Sequence, residues 1–259
     1  MFCILHNIEG KGVIKVQDKI IYEVLRVIDS KPIFLEDHLK RMKNSFRVVN
    51  EEFLMSYEEI NTKINNLIKT ENKYEGNIKI TYGICEKILR VFFIEHSYPS
   101  DDMYEKGVET ILYFGERENP NAKIVNENFR EKVNNEIKNK RVYEAILVDK
   151  NGYITEGSKS NIFMVKNNEL LTSPIKSVLP GVTRGEIIKI AEKLGIKIKE
   201  VEYKYSDIDK LDGMFISGTS PKVLPIKSVN DVSLDPNNGI IRSLIMEYNN
   251  EITKYIKSH

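Results

Sequence analysis

Tyr153-Ile-Thr-Glu-Gly-Ser-Lys-Ser-Asn161 lies between two apolar runs, Ala145-Ile-Leu-Val148 and Ile162-Phe-Met-Val165. Asn151-Gly152, between Lys150 and Tyr153, is a strong hairpin signal, because a tight two-residue turn needs residues that tolerate positive φ. The strand that follows carries Glu156 just before Gly157, where the backbone can bend. From these residues alone the segment is either a polar connection between strands or an acid held in place by a turn and small hydroxyls. Segments on both sides bear on the choice.

The chain has 259 residues, enough for one large or two medium domains with a sizeable core. Its 39 basic and 38 acidic residues nearly cancel, which argues against a nucleic-acid surface. The lysines are interspersed with Glu and Asp, as on a solvated mixed surface. Cys3 and Cys85 have no metal-ligand spacing and make no disulfide framework, so a reduced, cytoplasmic setting is expected. The apolar run in Met1–Glu9 is short and has no basic leader, unlike a signal peptide. No apolar run is long enough for a bilayer, so no membrane partner is expected.

Gly12–Val16 and Ile20–Val27 are rich in β-branched residues and read as strands. Leu39, Met42, Phe46 and Val49 have helical spacing within Asp37–Val49, as do Ile60, Ile64, Leu67 and Ile68 within Ser56–Lys69. Asn77–Tyr82 and Ile88–Ile94 read as paired strands. Arg117-Glu-Asn-Pro-Asn-Ala122 is polar and broken by Pro120. It marks an expected linker, 117–122, between an N-terminal subdomain, 1–116, and a C-terminal one, 123–259. Beyond it, Val125–Lys140 reads as helix, Glu169–Thr172 as strand, and Thr183–Leu194 as a helix stopped by Gly195. Ile196–Val201 and Gly213–Ser217 read as strands and Ile240–Ile256 as a closing amphipathic helix. The expected class is α+β in two subdomains.

Two segments have the chemistry of an anion cradle. Leu179-Pro-Gly-Val-Thr-Arg184 runs into a helix, whose free N–H groups attract phosphate, although Thr183 is also a plain N-cap. Ser217-Gly-Thr-Ser-Pro221 follows a strand and offers small hydroxyls, although such runs are often turns. Neither is a Walker motif or a dinucleotide fingerprint. Two such loops beside a placed acid suggest a phosphorylated cofactor.

Tyr143-Glu-Ala-Ile-Leu, Gly152-Tyr-Ile-Thr-Glu-Gly-Ser-Lys-Ser-Asn-Ile-Phe163, Leu179–Arg184, Phe215-Ile-Ser-Gly-Thr-Ser220 and the helical His38-Leu-Lys-Arg41 occur in one order. Together they resemble the class IV aminotransferases, the fold-type IV pyridoxal phosphate enzymes. These include branched-chain and D-amino acid aminotransferases and aminodeoxychorismate lyase. The resemblance spans about Tyr22 to Pro225 and implies a two-subdomain architecture like that of D-amino acid aminotransferase. It implies pyridoxal 5'-phosphate, no metal, amino acid and 2-oxo acid substrates, and a homodimer.

It also implies roles. Lys123, in Pro120-Asn-Ala-Lys-Ile-Val-Asn126, stands at the Schiff-base lysine, which a lowered pKa lets attack an aldehyde. Glu156 stands where the family pairs an acid with the pyridine nitrogen. Arg41 would clamp the phosphate, with Val182, Thr183, Thr219 and Ser220 holding its other oxygens. Tyr22 matches an aromatic of the substrate pocket. Lys87 stands near a carboxylate-binding arginine of the D-amino acid enzymes, as a point charge without the fork. Gln17-Asp-Lys-Ile-Ile replaces a glycine-aspartate-glycine pattern, and Asn128 replaces a tyrosine of the branched-chain enzymes. The expectation is an aminotransferase, with a lyase of the same family or a non-catalytic homologue as alternatives.

Overall fold

The computed structural model of the chain describes residues 19–259 and the backbone strands 2–6 and 13–17. Met1, Asn7-Ile8-Glu9, Gly12, Asp18 and the Cys3 side chain, all used in the readings above, lie outside the described residues. The chain forms two compact units, residues 1–95 with 122–125, and residues 96–121 with 126–259.

In the first unit β1 (Phe2–His6) pairs antiparallel with β2 (Val13–Gln17). Then come β3 (Ile20–Ile28), β4 (Lys31–Pro32), α1 (Leu35–Val48), α2 (Tyr57–Glu71), β5 (Gly76–Gly83) and β6 (Ile88–Ile94). The strands make an antiparallel sheet in the order β4-β3-β5-β6. Alternation in β3 sends Ile21, Leu25 and Val27 into one core with Leu39, Met42 and Phe46 of α1 and Ile60, Ile64 and Ile68 of α2. The helical stripes read from the sequence are therefore the buried ones. Ser56 and Glu59 form a capping box at the start of α2, satisfying two backbone N–H groups reciprocally.

The second unit contains α3 (Asp101–Lys106), β7 (Val108–Phe114), α4 (Glu127–Lys140), β8 (Glu144–Val148), β9 (Tyr153–Gly157), β10 (Asn161–Lys166) and β11 (Glu169–Thr172). After a 3-10 turn at Ile175–Ser177 come α5 (Val182–Lys193), β12 (Ile198–Glu200), β13 (Tyr203–Lys204), β14 (Gly213–Gly218), β15 (Lys222–Val229), β16 (Val232–Ser233) and α6 (Gly239–Ser258). Strands β10-β14-β15-β7-β8-β9 run side by side, and β9 pairs back to β10, so these six close on themselves. Closure removes edges that would otherwise offer unpaired backbone. Ile146, Ile154, Ile162, Met164, Met214, Ile216, Leu224 and Ile226 fill one core. On the opposite strand phase Phe163 and Phe215 stack, with centroids 5.0 Å apart. The Asn151-Gly152 turn forms as read: Gly152 has φ 81°, and Asp149 Oδ1 accepts from the Asn151 and Tyr153 N–H groups at 2.9 and 2.8 Å.

The units part differently from the expected 117–122 linker. Residues 96–116 join the second unit because β7 pairs in parallel with β8 and β15. Residues 122–125 join the first because they lie along the open edge of β3: Ile124 bridges Ile21, and the Val125 N–H donates to the Ile20 carbonyl at 3.0 Å. Among the described residues no helix is long and apolar enough to cross a membrane. Nor does any group of three His, Cys, Asp or Glu side chains stand ready for a metal.

Candidate active site

In the second unit, Glu156 is the penultimate residue of a short strand that must turn at once into β10. Gly157 is required there, because a Cβ would run into Ser160 Oγ and the Glu144 carboxylate. Glu144 knits the turn. Its carboxylate accepts from Ser158 Oγ at 2.6 Å, the Lys159 N–H at 2.7 Å and Ser160 Oγ at 3.1 Å. Burial pushes the Glu144 carboxyl above its ordinary range, against those three donors. The turn brings Glu156 opposite Asn161 in register.

Glu156 is 3% exposed, and both its oxygens are engaged. Oε1 accepts from Arg117 Nη1 and Oε2 from the Leu179 N–H, each at 3.0 Å. Asn161 Nδ2 donates to the carbonyl of that same Leu179 at 2.9 Å. The backbone N–H and carbonyl of one residue are thus both held by the two facing residues of the β9–β10 hairpin. Leu179 sits just ahead of α5, so the acid and the start of α5 are fixed to each other.

The α5 start is open. Gly181 is the N-cap and provides no side-chain hydrogen bond, and the first intrahelical bond runs from the Gly185 N–H to the Gly181 carbonyl at 2.9 Å. The N–H groups of Val182, Thr183 and Arg184 have no helical acceptor, which makes an anion site of the kind a phosphate fits. A Cβ at residue 181 would collide with Asn161 Oδ1, so only glycine lets the chain approach here. Thr183 is not the N-cap that the sequence also allowed; its hydroxyl accepts from Tyr248 of α6 at 3.4 Å. The buried Ser217 hydroxyl has no hydrogen-bond partner among the described residues. An uncapped helix start and an unsatisfied hydroxyl on one sheet face fit the phosphate of a cofactor such as pyridoxal phosphate. Thr219 and Ser220 form the partly exposed turn between β14 and β15.

In the first unit, Lys123 is held by its peptide. Its N–H donates to Ser45 Oγ at 3.0 Å, and its carbonyl accepts from the Tyr22 N–H at 3.0 Å. Ser45 Oγ in turn donates to the Arg41 carbonyl at 3.2 Å, tying the lysine to α1. Lys123 Nζ stands 4.9 Å from the Tyr22 ring centre, and Lys79 Nζ stands 5.2 Å from the same ring. Such placements are mildly attractive to a cation. Lys87 lies in the exposed turn between β5 and β6, with φ 55°.

On the other side of β3 stands Glu23, an acid on the apolar phase of the strand. Arg41 Nε and Nη2 donate to it at 2.9 and 2.5 Å, and His38 Nδ1 lies 2.9 Å from it. The expected phosphate clamp therefore has two of its donors committed to Glu23. Burial holds His38 below its ordinary pKa, with the Arg41 and Lys123 charges, although Glu23 pulls the other way. Burial would raise the Glu23 pKa, but the Arg41 charge and the hydrogen bonds from Arg41 and His38 outweigh it and bring it down to about 2. A carboxyl depressed from 4.5 in this way stabilises the fold fully above the unfolded value. It loses that stabilisation as the pH falls toward 2. The difference is on the order of 3 kcal/mol. Urea unfolding of the cofactor-free chain at pH 5.5 and pH 3 should show a smaller loss of stability for Glu23→Gln than for wild type. Equal losses would remove Glu23 from this role.

Lys123 and Tyr22 thus meet in one unit, linked through Ser45 to the Arg41 backbone, and Glu156, Val182 and Thr183 belong to the other. Arg117, read as linker, is a partner of Glu156. Ser45 and Glu23 were not singled out either. Ser45 carries no sequence signal of its own. Glu23 does: Ile21, Glu23, Leu25 and Val27 share a strand phase, and His38 and Arg41 are one helical turn apart.

The family model of amino-transferase class IV matches residues 20–229. A protein of Thermotoga maritima named as a probable branched-chain-amino-acid aminotransferase is 29% identical over 231 residues, 88% of this chain and 84% of its own. The branched-chain-amino-acid aminotransferase of Escherichia coli K12 is 26% identical over 238 residues, 83% of this chain and 77% of its own. The solved structure of the E. coli branched-chain enzyme superposes with a TM-score of 0.80 at 23% identity, covering 90% of this chain and 85% of that one. A Legionella pneumophila structure provisionally named 4-amino-4-deoxychorismate lyase also gives 0.80, at 23% identity and 89% and 90% coverage. At such identities the two structures speak for the fold, while the family match spans well over half of the sequence, and by it the chain belongs to the class IV aminotransferases.

Proposed function

We propose that this chain uses pyridoxal 5'-phosphate to move an amino group between an amino acid and a 2-oxo acid. The observation that carries the reading is the Leu179 peptide, which fixes a buried carboxylate to an uncapped helix start. A cofactor with a basic ring nitrogen and a phosphate needs an acid and an anion site at a set spacing. When bound, pyridoxal phosphate supplies an electron sink for the pair left on the substrate Cα.

Lys123 would hold the cofactor through its aldehyde carbon, with loss of water, and its Nζ, released when the substrate amine takes its place there, would carry the proton from Cα. Glu156, whose two oxygens accept from Arg117 Nη1 and the Leu179 N–H, would favour a protonated ring nitrogen. Val182 and Thr183 hold phosphate oxygens through backbone N–H groups, and Thr219 and Ser220 through their turn. Arg41, with Nε and Nη2 on Glu23, contributes its charge and its remaining N–H groups. Tyr22 lines the substrate side, and Lys87 attracts a carboxylate. A cytoplasmic homodimer, in which first-unit loops of one copy close the pocket of the other, belongs to the same reading.

The test is product analysis. The purified chain with pyridoxal phosphate, 2-oxoglutarate and a panel of L- and D-amino acids should yield glutamate and the matching new oxo acid. Formation of only 4-aminobenzoate and pyruvate from aminodeoxychorismate would replace this reading with the lyase. A protein that remains colourless with pyridoxal phosphate and yields no product would leave a non-catalytic homologue.

A further inference from the structure

We infer that the Ser217 hydroxyl is a further ligand of the cofactor phosphate, an inference that rests on the function proposed above. Ser217 is 1% exposed, and its Oγ has no hydrogen-bond partner among the described residues. Its unit treats other buried hydroxyls differently. Thr110, Thr172 and Ser173 donate to the carbonyls of Ser228, Ile162 and Ile154, at 2.9, 2.8 and 2.8 Å. Thr155 donates to the Leu147 carbonyl at 3.2 Å. A buried hydroxyl left unsatisfied costs more than a made bond returns, so it is kept where something else uses it.

The register shows what that is. Ser217 faces Asn161 across an antiparallel pair, so the two side chains stand on one face of the sheet. On that face Asn161 reaches the Leu179 carbonyl, and Gly181 approaches Asn161 too closely for any side chain of its own. The uncapped N–H groups of α5 begin at the next residue. The unsatisfied hydroxyl therefore shares a sheet face with Asn161, against which Gly181 packs one residue ahead of the uncapped N–H donors. Both deficits are donors, and a phosphate oxygen answers both. Ser217 also differs from its neighbours Thr219 and Ser220, which lie in the turn beyond the strand, because its position is fixed by the strand pairing itself.

The experiment is calorimetric titration of pyridoxal phosphate into cofactor-free wild type and Ser217→Ala, with pyridoxal, which lacks the phosphate, run in parallel. Thermal unfolding of both cofactor-free proteins is recorded. A lost hydrogen bond to a charged phosphate should weaken pyridoxal phosphate binding about tenfold or more. Pyridoxal binding should be unchanged. The cofactor-free variant should melt above wild type, because the change removes an unsatisfied polar group. Opposite signs in the two readouts separate a ligand from a packing residue. Unchanged pyridoxal phosphate affinity, or an equal loss for both compounds with a lowered melting temperature, overturns the inference while leaving the proposed function intact. Wild type that takes up neither compound overturns both.

Discussion

Lys123→Ala should abolish covalent attachment of pyridoxal phosphate and lower transamination by roughly a thousandfold or more, since in the proposed function one amine would serve as both anchor and proton carrier. The fold should survive. The hydrogen bonds that place residue 123, to Ser45 Oγ and from the Tyr22 N–H, belong to its peptide and remain with alanine. The structure also provides a control. Lys79 Nζ stands 5.2 Å from the Tyr22 ring centre, almost as near as the 4.9 Å of Lys123. Lys79→Ala should keep the yellow colour and the borohydride-stable label, and peptide mapping should find that label on Lys123. If the colour and label vanish with Lys79 and persist without Lys123, the anchor has been assigned to the wrong lysine.

Much of the fold was legible where order is local. The Asn151-Gly152 turn, the stripe in α1 and the stop at Gly195 depend on neighbours in sequence, and they form close to where they were read. The stretch from His96 to Glu116 was passed over, and it contains β7. That strand owes its existence to parallel pairing with β8 and β15, the latter more than a hundred residues away, and no local pattern encodes such a partner. The stretch around Pro120 raises a related point, since the units divide at 121/122 but also at 95/96 and 125/126. A polar, proline-broken stretch looks like a linker, yet Arg117 reaches Glu156 and Asn121 Nδ2 donates to the Ile175 and Val178 carbonyls at 2.6 and 2.8 Å. Polarity in a loop reports either solvent or partners, and the sequence does not distinguish them.

The candidate site divides along the same line. Glu156 and the Leu179–Arg184 run could be suspected from turn chemistry and helix-start chemistry. Lys123 could not, because a lysine among many is a surface residue until something places it. Resemblance singled it out, and Ser45 and Tyr22 are the physical means by which this chain holds it. Arg41 was read with its fork free for phosphate. Glu23 occupies part of that fork, and a carboxylate in the middle of a β-branched run, with His38 and Arg41 one helical turn apart, is the sign of that pairing.

Glu156→Gln should slow transamination by roughly 100- to 1,000-fold, the scale set by removing one well-placed electrostatic group, while pyridoxal phosphate still binds. The glutamine also has a structural consequence. Both carboxylate oxygens now face N–H donors, Arg117 Nη1 and the Leu179 N–H, each at 3.0 Å. An amide can accept from only one of them and must turn its NH2 toward the other, so a stability loss of about 1–3 kcal/mol should accompany the change. Part of the rate loss could then come from a displaced α5 start rather than from the missing charge. Asn161→Ala separates the two causes. It removes the 2.9 Å bond to the Leu179 carbonyl and loosens the same peptide, but leaves the carboxylate in place. If charge is what matters, Asn161→Ala should weaken pyridoxal phosphate binding more than Glu156→Gln does and slow proton removal from Cα less, as read by loss of deuterium from Cα-labelled substrate. The reverse pattern would assign the effect to the loop, and a Glu156→Gln enzyme working at the wild-type rate would leave the buried carboxylate as no more than the clasp of Leu179.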